Sequence, residues 1–306
     1  MITVFGSLNV DYVFQVAHLP TPGETVLATD MVMLPGGKGG NQALAAAKAG
    51  AEVRMVGAVG EDGLRDIVLT GLQAAGVDTQ RVKTSTRSTG TAAINVDNHG
   101  ENAIVVHSGA NYDVSAEQLT CEILQPGSLL LMQMELPLSV MATAVRIAAK
   151  AKASIIWNLA PMQPIELDLL QQIDYLIVNE VELTQLVSYL GGDPATDTAT
   201  QARYAAGKSK ARIIVTLGAR GCLAIDGDQQ ISVPALPIKP IDTVGAGDAF
   251  AGAFSAALAS AKTLDQAIVW GCVAGGLACL QTGAQSALPS ASQITERIPE
   301  LAATQT

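Results

Sequence analysis

Short, unbroken apolar runs alternate with longer stretches of helical period along most of the chain. The runs at 3–6, 53–59, 129–133, 154–158, 175–179 and 212–217 are too short for stable helices and too uniformly apolar for strands with one wet face. They predict strands buried on both sides. Between them, apolar residues recur three and four apart over 41–49, 64–75, 116–124, 138–150, 181–190, 198–208, 248–261 and 264–280, which predicts helices. Gly50 and Gly76 follow two of these segments, where a helix end favours a residue free to adopt positive φ. Buried strands separated by helices give a mostly parallel sheet flanked by helices, the doubly wound α/β class. Ligands of that class gather beyond the carboxyl ends of the strands.

Two stretches depart from this rhythm. Residues 12–34 and 89–106 alternate apolar and polar positions without helical period, and Asn98-His99-Gly100 has the composition of a hairpin tip. They predict a small β layer at one edge of the core, a lid able to close over a ligand. With no repeat, long linker or low-complexity segment, the chain reads as one α/β domain over 1–306 with that discontinuous β lid. Val26, Leu27 and Ile94 are expected at the lid surface, where pairing with a second copy would make a homodimer. The last residues, 302–306, are expected to fray.

Composition narrows the function classes. Of the residues, 49% are apolar and 15% charged, so a sizeable core can form and the chain should be globular. A net charge of -10 argues against sequence-independent nucleic-acid binding, which needs clustered Lys and Arg. It still allows a local anion site made of backbone N–H groups. No basic segment leads into an apolar stretch at the N-terminus, and the longest apolar helical runs are too short to span a bilayer. The expectation is a cytoplasmic protein with no membrane partner. Cys121, Cys222, Cys272 and Cys279 show no paired spacing and read as reduced core thiols, with Cys272 and Cys279 sharing one helix face.

Chemistry concentrates where predicted strands end. Asp242-Thr243-Val244-Gly245-Ala246-Gly247-Asp248 turns through three small residues into a helix, so bare N–H groups and the helix dipole together favour an anion. Asp248 beside such a site suits a base that deprotonates an attacking hydroxyl; it equally suits a helix N-cap. Gly36-Gly37-Lys38-Gly39-Gly40-Asn41-Gln42 opens another helix, offering close backbone approach with two donor side chains, or a flexible turn. Asn9 and Asp11, after the first strand, suit neighbouring sugar hydroxyls or an Asx-turn. Glu135 follows the third apolar run; a ligand contact and a cap before Pro137 both fit it. Asn179-Glu180-Val181-Glu182 suits water around Mg²⁺, or ordinary acidic residues in a helix's first turn. Thr216-Leu217-Gly218-Ala219-Arg220-Gly221 fits a nucleotide-lining loop or a hairpin turn.

Other chemistries fit poorly. Ala206-Gly207-Lys208-Ser209 imitates the end of a phosphate-binding P-loop, but Ala202 stands where the earlier glycine belongs and the segment ends a helix. No dinucleotide fingerprint follows the first strand. His18, His99 and His107 fall in lid or loop regions, so neither a His-rich metal site nor a Ser–His–Asp triad is compelling.

Taken together, these segments resemble the ribokinase (PfkB-type carbohydrate kinase) family from Gly6 to about Pro289. Gly37-Lys38-Gly39-Gly40-Asn41 and the 242–248 heptapeptide are the most specific marks; Asn9-Val10-Asp11, Gln133-Met134-Glu135, Asn158-Leu159-Ala160-Pro161, Asn179-Glu180-Val181-Glu182 and Gly283-Ala284-Gln285 support them. The resemblance implies ATP-dependent phosphorylation of a primary sugar hydroxyl, D-ribose foremost. Deoxyribose, fructose, another ketose or a nucleoside are alternatives, and a non-catalytic sugar-binding regulator is a different class. It implies sugar contacts from Asn9, Asp11, Gly37, Lys38, Gly39, Asn41, Glu135 and Asp248, with Asp248 as base and an anion hole at Gly245, Ala246 and Gly247. ATP contacts would come from Asn179, Thr216, Gly218, Arg220, Gly221 and Gly247, and Glu182 would act on Mg²⁺ through water. A monovalent cation, K⁺ in most members, would lie at Asp242, Val244, Ala278, Gln281, Gly283 and Ala287. This chain departs from the family pattern at Gly40, in 60–65, at Ser286-Ala287 and at Cys272.

Overall fold

The computed structural model describes residues 1–302. The chain opens with β1 (Ile2–Phe5), β2 (Asn9–Gln15), β3 (Asp30–Gly36), α1 (Lys38–Lys48), β4 (Val53–Gly60), α2 (Leu64–Ala74) and β5 (Asp78–Ser85). It continues through β6 (Gly90–Val96), β7 (Asn102–His107), β8 (Leu129–Met132), α3 (Leu138–Ala151), β9 (Ser154–Asn158), α4 (Leu167–Leu170) and β10 (Tyr175–Asn179). Then come α5 (Glu180–Tyr189), α6 (Thr198–Ser209), β11 (Arg212–Thr216), β12 (Cys222–Asp226), β13 (Gln229–Val233), α7 (Ala246–Ala259), α8 (Leu264–Ala278) and α9 (Ala291–Ala302).

Nine strands form one sheet in the order β13-β12-β11-β10-β9-β8-β1-β4-β5. It is parallel from β11 to β5; β12 runs antiparallel to β11, and β13 antiparallel to β12. The unbroken apolar strands follow from burial on both faces. Val4 and Phe5, adjacent on β1, are fully buried and point into opposite cores. Residues of α1, α2, α7 and α8 fill one core, and residues of α3, α4, α5 and α6 fill the other.

β1 pairs with both β8 and β4. The chain leaves β1 toward β4 and β5, then returns to build outward from β8. That reversal opens a crevice beyond the carboxyl ends of β1 and β8, the place where doubly wound sheets take ligands. Four further strands make a second sheet, β3-β2-β6-β7, within the two stretches that lack helical period. The 97–101 turn closes its β6–β7 hairpin, where Gly100 adopts φ 83°.

Several expectations need correction. The helix expected over 116–124 shortens to a single turn at Ala116–Gln118. The Gln118 amide donates to the carbonyls of Gly57 and Arg81, anchoring the turn to the sheet, and Leu119 is extended. Cys121, on the looped remainder, is exposed and is no core thiol; Cys222 and Cys272 are buried, Cys279 half-buried. Val26 and Ile94 are half-buried, because Ile94 lies on a central strand of the small sheet. Leu27 is exposed as expected, and the other exposed apolar residues of the small sheet lie on β3 (Met31, Val32, Met33, Leu34) and on β7 (Ile104, Val105, Val106). The apolar pattern does not mark helix α9 or strands β5 and β13, which are mixed in polarity and only partly buried. Fraying at 303–306 lies outside the described residues, and Ala302 ends α9. Among the described residues, no helix is long and apolar enough to cross a membrane.

Candidate active site

Close backbone approach builds one end of the crevice. A Cβ on Gly39 would lie 2.5 Å from the Ser7 nitrogen, and Gly37, at φ 82°, packs against the backbone of residues 7–9. Glycine at both positions lets the N-terminus of α1 sit on the turn after β1. Glu135, beyond β8, joins this contact: its Oε2 accepts from the Lys38 backbone N–H at 3.0 Å and from the Ser7 hydroxyl. Asn9 is buried, and its Oδ1 accepts from Asn111 Nδ2 at 2.8 Å.

Charge accumulates here. Burial pushes the Asp11 carboxyl up to about 6, with the carboxylates of Glu135 and Asp248 adding to the rise and Lys38 opposing it. Asp248 is the foremost cause that holds the Lys38 ammonium above its ordinary range, with Glu135, Glu182 and Asp11 contributing while burial opposes. One cation and four acidic side chains are thus coupled at this end of the crevice.

Asp248 stands on the first turn of α7 and is 6% exposed. Its Oδ2 accepts from Asn41 Nδ2 at 2.9 Å and its Oδ1 from Gln42 Nε2 at 2.8 Å. Gln285 Nε2 in turn donates to Asn41 Oδ1 at 3.0 Å. Gly245 precedes the helix at φ 78°, with Ala284 Cα only 2.7 Å from where a Cβ would be. The N–H groups of a first helical turn lack intrahelical acceptors; in α7 the Ala246 N–H donates to the Thr243 carbonyl of the preceding turn at 3.3 Å.

The adjoining cleft has a different character. It measures about 660 Å³, and its lining includes Asn179, Thr216, Gly218, Gly221, Ala246 and Gly247. Phe250, Cys272 and a run of small residues on α8 complete a mostly apolar wall, suited to a flat aromatic group. Arg220 is not part of this lining: it lines a separate groove with Thr198 and Pro234 and pairs with Glu180. Glu182 completes a capping box: Asn179 Oδ1 accepts from its backbone N–H, and its Oε2 accepts from the Asn179 N–H, both at 2.8 Å. Burial raises the Glu182 carboxyl above its ordinary range. Among the described residues, no group of three or more His, Cys, Asp or Glu is placed to hold a metal ion. A single half-buried carboxylate fits a divalent ion that keeps most of its own waters.

The expected monovalent-cation residues fall on the loop before α7 (Asp242, Val244), at the end of α8 (Ala278) and on the loop after it (Gln281, Gly283, Ala287). Asp242 ties the two loops together, accepting from Val244 N–H and Gly283 N–H, both at 2.9 Å. Ala278 and Ala287 are buried; the Ser286 hydroxyl donates to the Thr282 carbonyl at 2.7 Å. The P-loop look-alike ends α6, as its residues implied.

Sequence reasoning gave no role to Gln42, Gln133, Asn158, Asn111, Ser7 or Gln285. All are buried polar groups wired to the residues above. The available signal was an amide placed within or at the end of an otherwise apolar run, as at Gln133 after Leu-Leu-Leu-Met and Asn158 after Ile-Ile-Trp.

A sequence profile described as pfkB family carbohydrate kinase matches residues 1–291. Ribokinase of Haemophilus influenzae is 35% identical over 302 residues, covering 96% of this chain and 97% of its own. Deoxyribokinase of Salmonella typhi is 32% identical over 299 residues, covering 96% and 97%. The structure of Arabidopsis thaliana ribokinase complexed with ribose and ATP superposes with a TM-score of 0.87 at 30% identity, over 97% of this chain and 98% of that one.

Proposed function

The chain belongs to the pfkB family of carbohydrate kinases, and on that premise we propose that it transfers the γ-phosphoryl group of ATP to O5 of D-ribose. One observation carries the reading: consecutive residues of one helical turn serve the two halves of the crevice. Gly247 lines the apolar cleft, while Asp248 is bonded to Asn41 in the polar pocket. A terminal phosphoryl group and a sugar hydroxyl would meet at that turn.

Asp248 accepts the hydroxyl proton as the oxygen bonds to phosphorus, and the bond from phosphorus to the leaving ADP oxygen breaks. Alignment and charge stabilisation supply most of the rate in phosphoryl transfer, so a weak carboxylate base suffices. The N–H groups of Gly245, Ala246 and Gly247 form the anion hole for the transferred group. Asn9, Asp11, Gly37, Lys38, Gly39, Asn41 and Glu135 hold the sugar; Asn179, Thr216, Gly218, Arg220 and Gly221 serve the nucleotide. Mg²⁺ bound with ATP would neutralise phosphate charge, with Glu182 ordering its water. A monovalent cation, K⁺, would sit between the loops joined by Asp242, at Val244, Ala278, Gln281, Gly283 and Ala287. Ser286 spends its hydroxyl on Thr282, so backbone carbonyls would dominate the donor set.

The small sheet is a lid over the sugar pocket: Asn9 and Asp11 lie on its strand β2. Exposed apolar residues on both edge strands favour a homodimer joined through the lids. Four unpaired cysteines suit a cytoplasmic kinase. Deoxyribose is the second reading, favoured by the Salmonella relative.

Release of ADP with ribose, deoxyribose, fructose and a nucleoside, each with and without K⁺, tests this. Ribose should give the highest kcat/KM, with K⁺ raising it. Faster turnover of deoxyribose would select the second reading, and sugar-independent ADP release would reject both. Sedimentation at micromolar concentration should show a dimer; a monomer removes the lid interface.

A further inference from the structure

We propose that Gln42 is a positioning residue that locks the Asp248 carboxylate in its reactive orientation. The proposal rests on Asp248 being the proton acceptor.

Gln42 is completely buried in α1. Its Nε2 donates to Asp248 Oδ1 at 2.8 Å and to Asn158 Oδ1 at 2.9 Å. Its Oε1 accepts from Gln133 Nε2 at 2.8 Å. Asn158 Nδ2 passes its own donor to the Ile177 carbonyl at 3.1 Å. The amides therefore connect the carboxyl ends of β8 and β9 to the first turn of α7.

The direction of these bonds is informative. An ionised carboxylate only accepts, so Gln42 must turn its NH₂ toward Asp248. Its oxygen then faces Gln133, which must also present NH₂. That leaves Gln133 Oε1 buried with no hydrogen-bond partner. A buried acceptor without a donor is unfavourable, and an apolar side chain there would avoid it. The arrangement gives each Asp248 oxygen a donor and leaves the deficit on the outermost amide. Asn41 repeats the pattern on Oδ2, with Gln285 behind it. Held on both oxygens, the carboxylate cannot rotate, and a hydroxyl must approach a remaining lone pair from the crevice.

The test uses the full-length protein. Gln42→Met keeps an unbranched side chain of similar length and removes both donors. It should lower kcat about 10- to 100-fold, at or below the lower end of what acid–base assistance is worth, while KM for ribose and for ATP changes less than about threefold. In an Asp248→Asn background the same change should cost less than about twofold, because residues acting as one unit are not additive. A kcat within twofold of wild type, or a full loss in the double variant, overturns the proposal. An active Asp248→Asn enzyme would instead remove the base assignment itself. If Gln42→Met does not fold, Gln133→Met replaces it: a severalfold loss of kcat at constant KM is expected, and unchanged kcat overturns the proposal.

Discussion

The two halves of the crevice are built on opposite principles. At the polar end, Asn41, Glu135 and Asp248 are fixed by side-chain hydrogen bonds, while Asp11 and Lys38 act on them as close charges. At the apolar end, Gly218, Gly221, Gly247, Gly271, Gly275 and Gly276 bring the backbone itself to the wall. Side chains in fixed orientation discriminate among hydroxyl patterns, since a missing partner leaves a buried group unpaired. A glycine wall grips by shape and gains little from any one atom. Loss of one side chain at the polar end should therefore be costly and specific, whereas the apolar end should respond mainly to added bulk.

The sharpest way to break this contrast is Asp248→Asn. The variant keeps the shape and loses the charge, so kcat should fall about 10³-fold or more, with modest change in either KM. Retained turnover would show that the polar end only binds. Next in size is Glu135→Gln. Its carboxylate accepts from Ser7 and from the Lys38 backbone. Ribose KM should rise roughly 10- to 100-fold, the size of a charged hydrogen bond, and ATP KM should stay within about threefold. Equal effects on both substrates would erase the distinction between the halves.

Gly245→Ala probes the junction. The added methyl meets Ala284 Cα at 2.7 Å and forces φ 78° on a residue that disfavours it. The strain should cost about 1–2 kcal/mol of stability and lower kcat about tenfold by displacing the first turn of α7. Thermal unfolding and steady-state rates measure the two effects separately.

The same contrast decides what could be read from sequence. The large sheet was legible because strands buried on both faces leave continuous apolar runs, and 154–158 and 175–179 match their strands residue for residue. Edge strands such as β13 carry no such pattern, since one side meets solvent. At the site, charged residues and glycine clusters announce themselves by type. Gln42, Gln133 and Asn158 do not, because an uncharged amide gains its meaning only from the partner it faces. Asn41 and Asp248 are 207 positions apart, and only the fold brings them together. The reverse error, a helix over 116–124, arose because the period ignores one amide anchored to two distant carbonyls.

The smallest expected effect sets function against stability within the polar half. Asp11 has its carboxyl raised from 3.8 to about 6, chiefly by burial. A group that holds its proton more tightly when folded stabilises the fold below its unfolded pKa, and that contribution is lost as pH rises through about 6. Above that pH the fold carries an ionised, partly desolvated carboxylate. Asp11→Asn removes this cost, so at pH 8 the variant should be more stable than wild type by about 1–2 kcal/mol, less than the whole shift implies because Asp11 keeps part of its surface in solvent. The difference should shrink as pH falls from 6 to 4. Over the same interval wild-type ribose KM should rise, since protonation removes an ionic acceptor for a sugar hydroxyl; the variant should show a high, flat KM. Denaturant unfolding and ribose KM measured from pH 4.5 to 8 check both. A variant less stable than wild type at pH 8 would mean that Lys38 outweighs burial there, and that the polar pocket is held together by its charges.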